Sequence, residues 1–585
     1  MTDQKNLIIA LVLSFVILMG FQFFYEIPRM EAEQARQAEI AAQQQPATGT
    51  DGAASSTPGV PAVGATAPVP GDLTIGTDLT RAQALKEAPR IAIETPTITG
   101  SLSLKGARID DVVLRDYKET LSPGSQQIHL LEPTALRRPY YAEFGWVAAP
   151  DSGVNLPNKD TVWTSGGGSL TPETPVTLTW DNGEGLVFER TITVDEHYMF
   201  SVEQKVRNAG AEQVTLFPYG LLSRGGIPKT TGFYILHEGP IGVFDETLKE
   251  VDYDDLQEDG DVQPVSEQAG GWIGMTDKYW LAALVPNQEQ THRWNFKHAL
   301  RNQVDRFQVD YLGDGISVPA GGESSVTNRL FAGAKVLDLL EGYETQYGVK
   351  NFDLAIDFGW FYFLTKPFFH VLTFLNGVLG NFGLAILALT VVIKLIFFPL
   401  ANKSYRSMAK MKKLTPKLTE MREKYGDDKQ RLNQEMMQLY KTEKVNPAAG
   451  CLPILIQIPV FFALYKVLFV SIEMRHAPFY GWIEDLSAPD PTSLFNLFGM
   501  IPWDPPQMLM IGAWPVLMGI TMFLQQRLNP QPADPIQAKV FMFLPVMFTV
   551  LLASFAAGLV IYWTWNNLLS ILQQWVIMKR MGVKA

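Results

Sequence analysis

Long apolar runs dominate the second half of this chain, and one more lies near its start. The hydrocarbon core of a bilayer, ~30 Å thick, takes roughly 20 apolar residues at about 1.5 Å each. Six runs approach that length: 7–25, 382–400, 451–470, 509–524, 539–555 and 558–578. Interruptions are few: Lys394 in the second, Gln457 and Lys466 in the third, Trp514 and Pro515 in the fourth. The pattern predicts a polytopic α-helical membrane protein with six transmembrane helices. Merged, the last two runs would form a helix of ~60 Å, twice the bilayer, so a hairpin bending near Gly558 is expected. The first run has no small-residue cleavage site after Phe24 and reads as an uncleaved signal anchor.

Between the first and second runs the pattern changes twice. Residues 26–88 read as a flexible tether, because Glu31–Thr74 is rich in Ala, Gln, Pro, Gly and Thr and cannot bury a core. From 89 to 347, short alternating runs such as Ile91–Ile98, Leu186–Val194 and Phe200–Val206 are punctuated by Gly, Pro, Asn and Asp. This predicts an all-β sandwich, closed by a helical pattern over Ala334–Tyr347. Residues 358–379 are aromatic and apolar yet continuous with the next span, which predicts an amphipathic helix in the outer interface. Residues 401–450 place Met408, Met411, Leu414, Leu418, Met421 and Tyr425 at spacings of three and four. With a turn at Gly426 they predict a basic helical hairpin.

Charge orients these pieces. Residues 26–351 hold 45 acidic and 26 basic side chains, whereas 352–585 hold 14 and 21, so the net −12 averages two unlike halves. The 401–450 segment carries twelve Lys/Arg against six Asp/Glu, while the 471–508 loop has only Arg475 against five acids. The tail 579–585 adds Lys579, Arg580 and Lys584. Short Lys/Arg-rich loops stay in the cytoplasm, which puts both termini inside and the acidic β domain outside.

Candidate chemistry is sparse. A single cysteine, Cys451, excludes an internal disulfide and any cysteine-pair zinc site. No Walker A loop, G-x-S-x-G or H-E-x-x-H occurs, so no catalytic residue, metal or cofactor is expected. His292 and His298, six apart on a probable strand, read as a surface or half-buried pair. The informative residue is Lys394, a cation within an apolar span that costs at least ~3 kcal/mol near the bilayer centre. Thr390 lies one turn earlier on the same face. Gln457 sits at similar depth in the third span, with Tyr562, Asn566 and Asn567 in the sixth. Alone, Lys394 could snorkel toward the headgroups and each of the others could be helix–helix glue; together they fit a water-accessible concavity. Met518, Met522, Met542 and Met547 add flexible thioethers suited to varied apolar partners. A channel or secondary transporter is the alternative reading, weakened because no carboxylate lies in any apolar run.

Asn402–Tyr405, the stretch "SMAKMKKLTPKLTEMREKYGDDKQRLNQEMMQLYKTEKVNP" at Ser407–Pro447 and "GCLPILIQIP" at Gly450–Pro459 resemble the bacterial YidC membrane-protein insertases. So do Ala477–Pro478 before "FYGWIEDLSAPDP" and the late "GLVIYWTWNNLLSILQQW". The resemblance extends in architecture to the amino-terminal anchor and large periplasmic domain of Gram-negative members. It implies a five-helix insertase core in the inner membrane and a periplasmic β-supersandwich. It also implies a non-enzymatic insertase and chaperone for nascent membrane proteins, with a hydrophilic groove open to cytoplasm and lipid. Carried over by residue, Lys394 falls on the groove cation, and Thr390, Gln457, Tyr562 and Asn566 on groove-lining positions. Clients would slide out along the third and fifth spans, with contacts at Phe461, Met518, Met522 and Met547. The partners implied are the SecYEG translocon with its accessory SecDF and the translating ribosome; the basic hairpin adds anionic lipid. Two positions depart from the family pattern: lysine replaces the usual arginine at 394, and Trp563 stands where a second tyrosine is common. Lysine keeps the charge and loses the planar five-donor fork.

Overall fold

The computed structural model describes residues 78–582 apart from 150–151, 231–235, 302, 426–427, 444, 446–451, 504, 507–508 and 530–534. The anchor at 7–25, most of the 26–88 tether and the turn residue Gly426 lie outside the described residues.

Period-two alternation builds the first half. In strand Leu186–Val194, residues Leu186, Phe188, Ile192 and Val194 turn inward, and each pairs with strand Met199–Asn208, as in Phe188 opposite Val206. Among the described residues, two antiparallel sheets of nine strands result. One runs from Arg90–Glu94 through Ile98–Ser103, Arg108–Lys118, Tyr140–Ala148, Val214–Gly225 and Val304–Gly313 to His292–Arg301, with short strands Gln127–Leu131 and Ile316–Val318 alongside. The other runs from Thr247–Glu250 through Gly239–Phe244, Trp272–Thr276 and Trp280–Val285 to Glu323–Ala334. It continues through Met199–Asn208, Leu186–Val194 and Val176–Asp181 to Thr164–Ser165. Their facing sides meet in a core containing Trp272, Trp294, Phe296 and Phe331, all fully buried. Arg190 shares that face, its guanidinium over the Trp163 ring and donating to the Ala107 and Phe144 carbonyls.

His292 corrects an expectation. It is buried, its ring packed against Trp294 and Tyr311, rather than lying at a surface. His298 is half-buried and bonds Asp305 at 2.9 Å.

Helices follow. Short α1 (Arg81–Ala84) and α2 (Tyr253–Asp259) decorate the sandwich, and α3 (Leu337–Tyr347) closes it. The turn Phe352–Ala355 drives Phe352 between Trp272 and Phe331, at ring separations of 5.3 and 5.4 Å. This anchors the sandwich to α4 (Tyr362–Leu379), which ends at left-handed Gly380. Asn381 then caps α5 (Phe382–Ile396) by accepting from the Leu384 amide.

The apolar run 382–400 is not one straight helix. It breaks at Phe397, and α6 (Phe398–Tyr425) leaves at 70° to α5. Pro399 accounts for the break: in a continuous helix it would have no N–H to bond the Leu395 carbonyl, and its ring would crowd that carbonyl. Beyond lie α7 (Lys429–Thr442), α8 (Leu452–Val470), α9 (Ala513–Leu528), α10 (Pro535–Leu551) and α11 (Ala557–Arg580). The chain bends between α10 and α11 around Phe555–Ala556. Central α11 touches α5, α6, α8 and α9. Among the described residues no single helix is long and apolar enough to cross a membrane; α5 with the start of α6 suffices as a bent pair.

Polar contacts tie the two halves together. Lys466 of α8 donates to Asp357 at 2.7 Å. Arg475 donates to the Glu119 carbonyl at 3.1 Å and lies over the Trp280 ring. Beside it, burial pushes the Glu473 carboxyl up to about 7 despite a 2.7 Å hydrogen bond from Ser471.

Candidate functional site

Three helices bring the polar residues together. Thr390 and Lys394 from α5, Gln457 from α8, and Tyr562 and Asn566 from α11 all line one cavity of about 560 Å³, its open mouth included. Ile393, Phe397 and Val460 supply apolar wall, and Tyr405 of α6 closes one side. Spacing explains the convergence. Thr390 and Lys394 are one turn apart on α5, as are Tyr562 and Asn566 on α11, so each helix shows two polar groups on one stripe.

The hydrogen bonds differ among these residues. Thr390 spends its hydroxyl on its own helix, donating to the Ile386 carbonyl at 2.7 Å. Gln457 and Tyr562 share the cavity lining from α8 and α11. Lys394 Nζ donates to Ser570 Oγ at 2.7 Å, and among the described residues no carboxylate lines its cavity. The cation thus has a neutral partner and keeps its net charge. It also borders a second, wider groove opening sideways between α5–α6 and α11.

Ser570 and Tyr405 are site residues that the sequence reading passes over. Ser570 lies one turn beyond Asn566, so helical spacing alone could have found it. Tyr405 is buried on α6 and lines the same cavity. Asn567 belongs elsewhere: it donates to Thr521 at 3.2 Å and joins α11 to α9.

The candidate client contacts separate. Phe461 is half-buried, edge-on to the Trp563 ring at 4.7 Å. Met547 is 41% exposed on α10, among outward-facing Phe543, Val546 and Val550. Met522 is half-buried against the cluster of Met518, Leu552 and Val560. Met518 corrects the expectation: it is fully buried, because it faces the helix junction of α9 with α11. It presents no surface.

Outside the cavity, Asp338, Glu341 and His370 bring ligand-type atoms within 4.8 Å of one another. Lys366 Nζ already holds Glu341 at 2.8 Å and Asp353 at 2.6 Å, so the trio reads as part of an ion-pair network.

Comparison with known families matches residues 90–371 to the YidC periplasmic domain and residues 374–584 to the 60Kd inner membrane protein family. A relative from Methylobacterium radiotolerans, named membrane protein insertase YidC, is 50% identical over 597 aligned residues, covering 100% of this chain and 96% of its own. A relative of the same name from Nitrobacter hamburgensis is 51% identical over 602, covering 100% and 96%. Among solved structures, an active YidC insertase with its first transmembrane domain resolved aligns over 83% of this chain and 92% of its own. Its sequence identity is 17% and the TM-score 0.34.

Proposed function

We propose a mechanism from the premise that this chain belongs to the YidC family of membrane-protein insertases. It is an inner-membrane protein with a periplasmic domain, and its function is membrane-protein insertion. Six spans hold the chain in the membrane, both termini in the cytoplasm and the sandwich in the periplasm. Outward-facing apolar side chains on α9 and α10, such as Ile520, Leu524, Phe541 and Phe543, support lipid contact there.

In this reading the cavity is a wet notch reached from the cytoplasm and from lipid. A nascent segment enters with its polar flank toward Lys394 while its apolar part moves past Phe461 and Met547 into lipid. Each apolar client residue gains a few tenths of a kcal/mol on transfer, roughly 0.3–0.6 for Leu, Ile, Phe or Val at the centre. That gain drives insertion without nucleotide or covalent chemistry. The cavity lowers the barrier by keeping polar groups hydrated while they cross. The carrying observation is a lysine in a cavity lined by Gln457, Tyr562 and Asn566 with, among the described residues, no carboxylate.

The family resemblance supports work alone or with SecYEG and SecDF, a chaperone role in folding, and docking of the translating ribosome. The basic α6 and α7 support contact with ribosomal RNA or anionic lipid. Photo-crosslinkers at 461 and 547 should capture a stalled nascent membrane protein in the full-length insertase. Absence of adducts at both, with adducts elsewhere on the surface, would overturn the proposed exit path.

A further inference from the structure

The lateral groove beyond Lys394 has a composition of its own. It measures about 2890 Å³ with its open mouth and runs between α5–α6 and α11. Its cationic rim is Lys403, Arg406, Lys410 and Arg580, all exposed, and among the described residues no carboxylate lines it. Its inner stretch is apolar, with Leu395 66% and Leu572 57% exposed, and Val576 beside them. A strip of exposed hydrocarbon ending at a cluster of cations matches an amphiphile with an anionic head. Free phosphate would satisfy the cations and leave the strip bare; an apolar peptide would do the reverse.

Length agrees. From Leu569 to Arg580, α11 advances about 17 Å, close to the ~15 Å of hydrocarbon in one leaflet. A lipid whose tail lies along the strip therefore has its phosphate at the depth of the cationic rim. A zwitterionic headgroup carries its own ammonium and gains less from four cations than an anionic one.

We propose that this groove binds one anionic phospholipid of the inner leaflet, its phosphate held by Arg406, Lys410 and Arg580 and an acyl chain along Leu395, Leu572 and Val576. The assignment rests on the proposed orientation, with α6 and the end of α11 in the cytoplasm.

Native mass spectrometry of the full-length protein in detergent, supplied with phosphatidylglycerol or phosphatidylcholine, tests it without any client. Wild type should retain one phosphatidylglycerol and no phosphatidylcholine through delipidation, and millimolar inorganic phosphate should not displace it. R406Q/R580Q should weaken retention roughly thirty-fold, at about tenfold per 1.4 kcal/mol for two membrane-facing cations. R406K/R580K, which keeps both charges, should retain the lipid. L572W, which fills the apolar strip and alters no charge, should lose it.

Equal retention of both lipids, or wild-type retention by R406Q/R580Q, would overturn the site. So would full displacement by phosphate. Unchanged retention by L572W would also overturn it, since the acyl chain would then lie off the strip. Lipid retention by a protein that inserts no client would instead count against the insertase mechanism and leave this site standing.

Discussion

The Lys394 ammonium donates to the Ser570 hydroxyl at 2.7 Å, and that hydroxyl donates on to the Asn566 carbonyl at 2.8 Å. A neutral oxygen on α11 therefore aims a cation from α5 while leaving its charge intact.

Charge and aim separate by mutation. Lys394→Arg should retain insertion, and Lys394→Ala should impair clients whose translocated flanks carry charge. Ser570→Ala removes a single hydrogen bond, worth about 1 kcal/mol, and should give a smaller defect than Lys394→Ala. Growth in a depletion strain and insertion into proteoliposomes measure both. A serine defect as deep as that of the alanine at 394 would make the hydroxyl, rather than the charge, decisive.

Two methionines should behave oppositely. Met518 is fully buried at the α9–α11 junction, so Met518→Ala should cost about 2–5 kcal/mol of stability. Met547→Ala, at an exposed position, should stay within ~0.5 kcal/mol yet reduce client crosslinking. Thermal unfolding in detergent ranks the pair. Equal stabilities would place Met518 at a surface.

The joint between the halves turns on Gly359. Its φ is +69°, and a Cβ there would lie 2.9 Å from Lys466 Cε. Gly359→Ala should therefore cost about 1–2 kcal/mol through left-handed strain and a displaced lysine stem. Lys466→Met strips Asp357 of its 2.7 Å cation partner and should cost about 1.5–3 kcal/mol, the range for a hydrogen bond to a charged group. Midpoint shifts of the full-length protein read both, and a neutral Gly359→Ala would contradict this geometry.

Acid should attack the sandwich at His292. Burial holds this imidazole down at about 4, against an ordinary value near 6.5. The folded state therefore excludes a proton that the unfolded chain binds between those values. Its contribution is complete above about pH 6.5 and is lost as pH falls toward 4. His292→Phe should flatten that part of the stability profile. A slope in that window unchanged by the substitution would assign the acid sensitivity to other groups.

How far the sequence foretells all this depends on which physical signal each feature leaves. Strand Leu186–Val194 is legible because a half-buried strand writes its sidedness as alternation. The convergence of Lys394, Gln457 and Asn566 is legible because a polar group in an apolar run is costly and rarely idle. The burial of Met518 is not, since lipid and protein interior favour the same side chains and a span carries no apolar sidedness to read. The break at Phe397 left its mark in Pro399, within a run whose composition suggests a continuous crossing. Ser570 is a serine like any other until the crossing of α5 and α11 places it before an ammonium.

That break has an electrical consequence. By stopping α5 at Ile396, Pro399 makes Lys394 a last-turn residue, where aligned peptide dipoles concentrate about half an elementary negative charge. The backbone itself serves as a diffuse counter-ion, easing the burden of an ammonium in apolar company without quenching it. An aspartate in the same place would have neutralised the field outright and left nothing for an incoming acidic flank to feel.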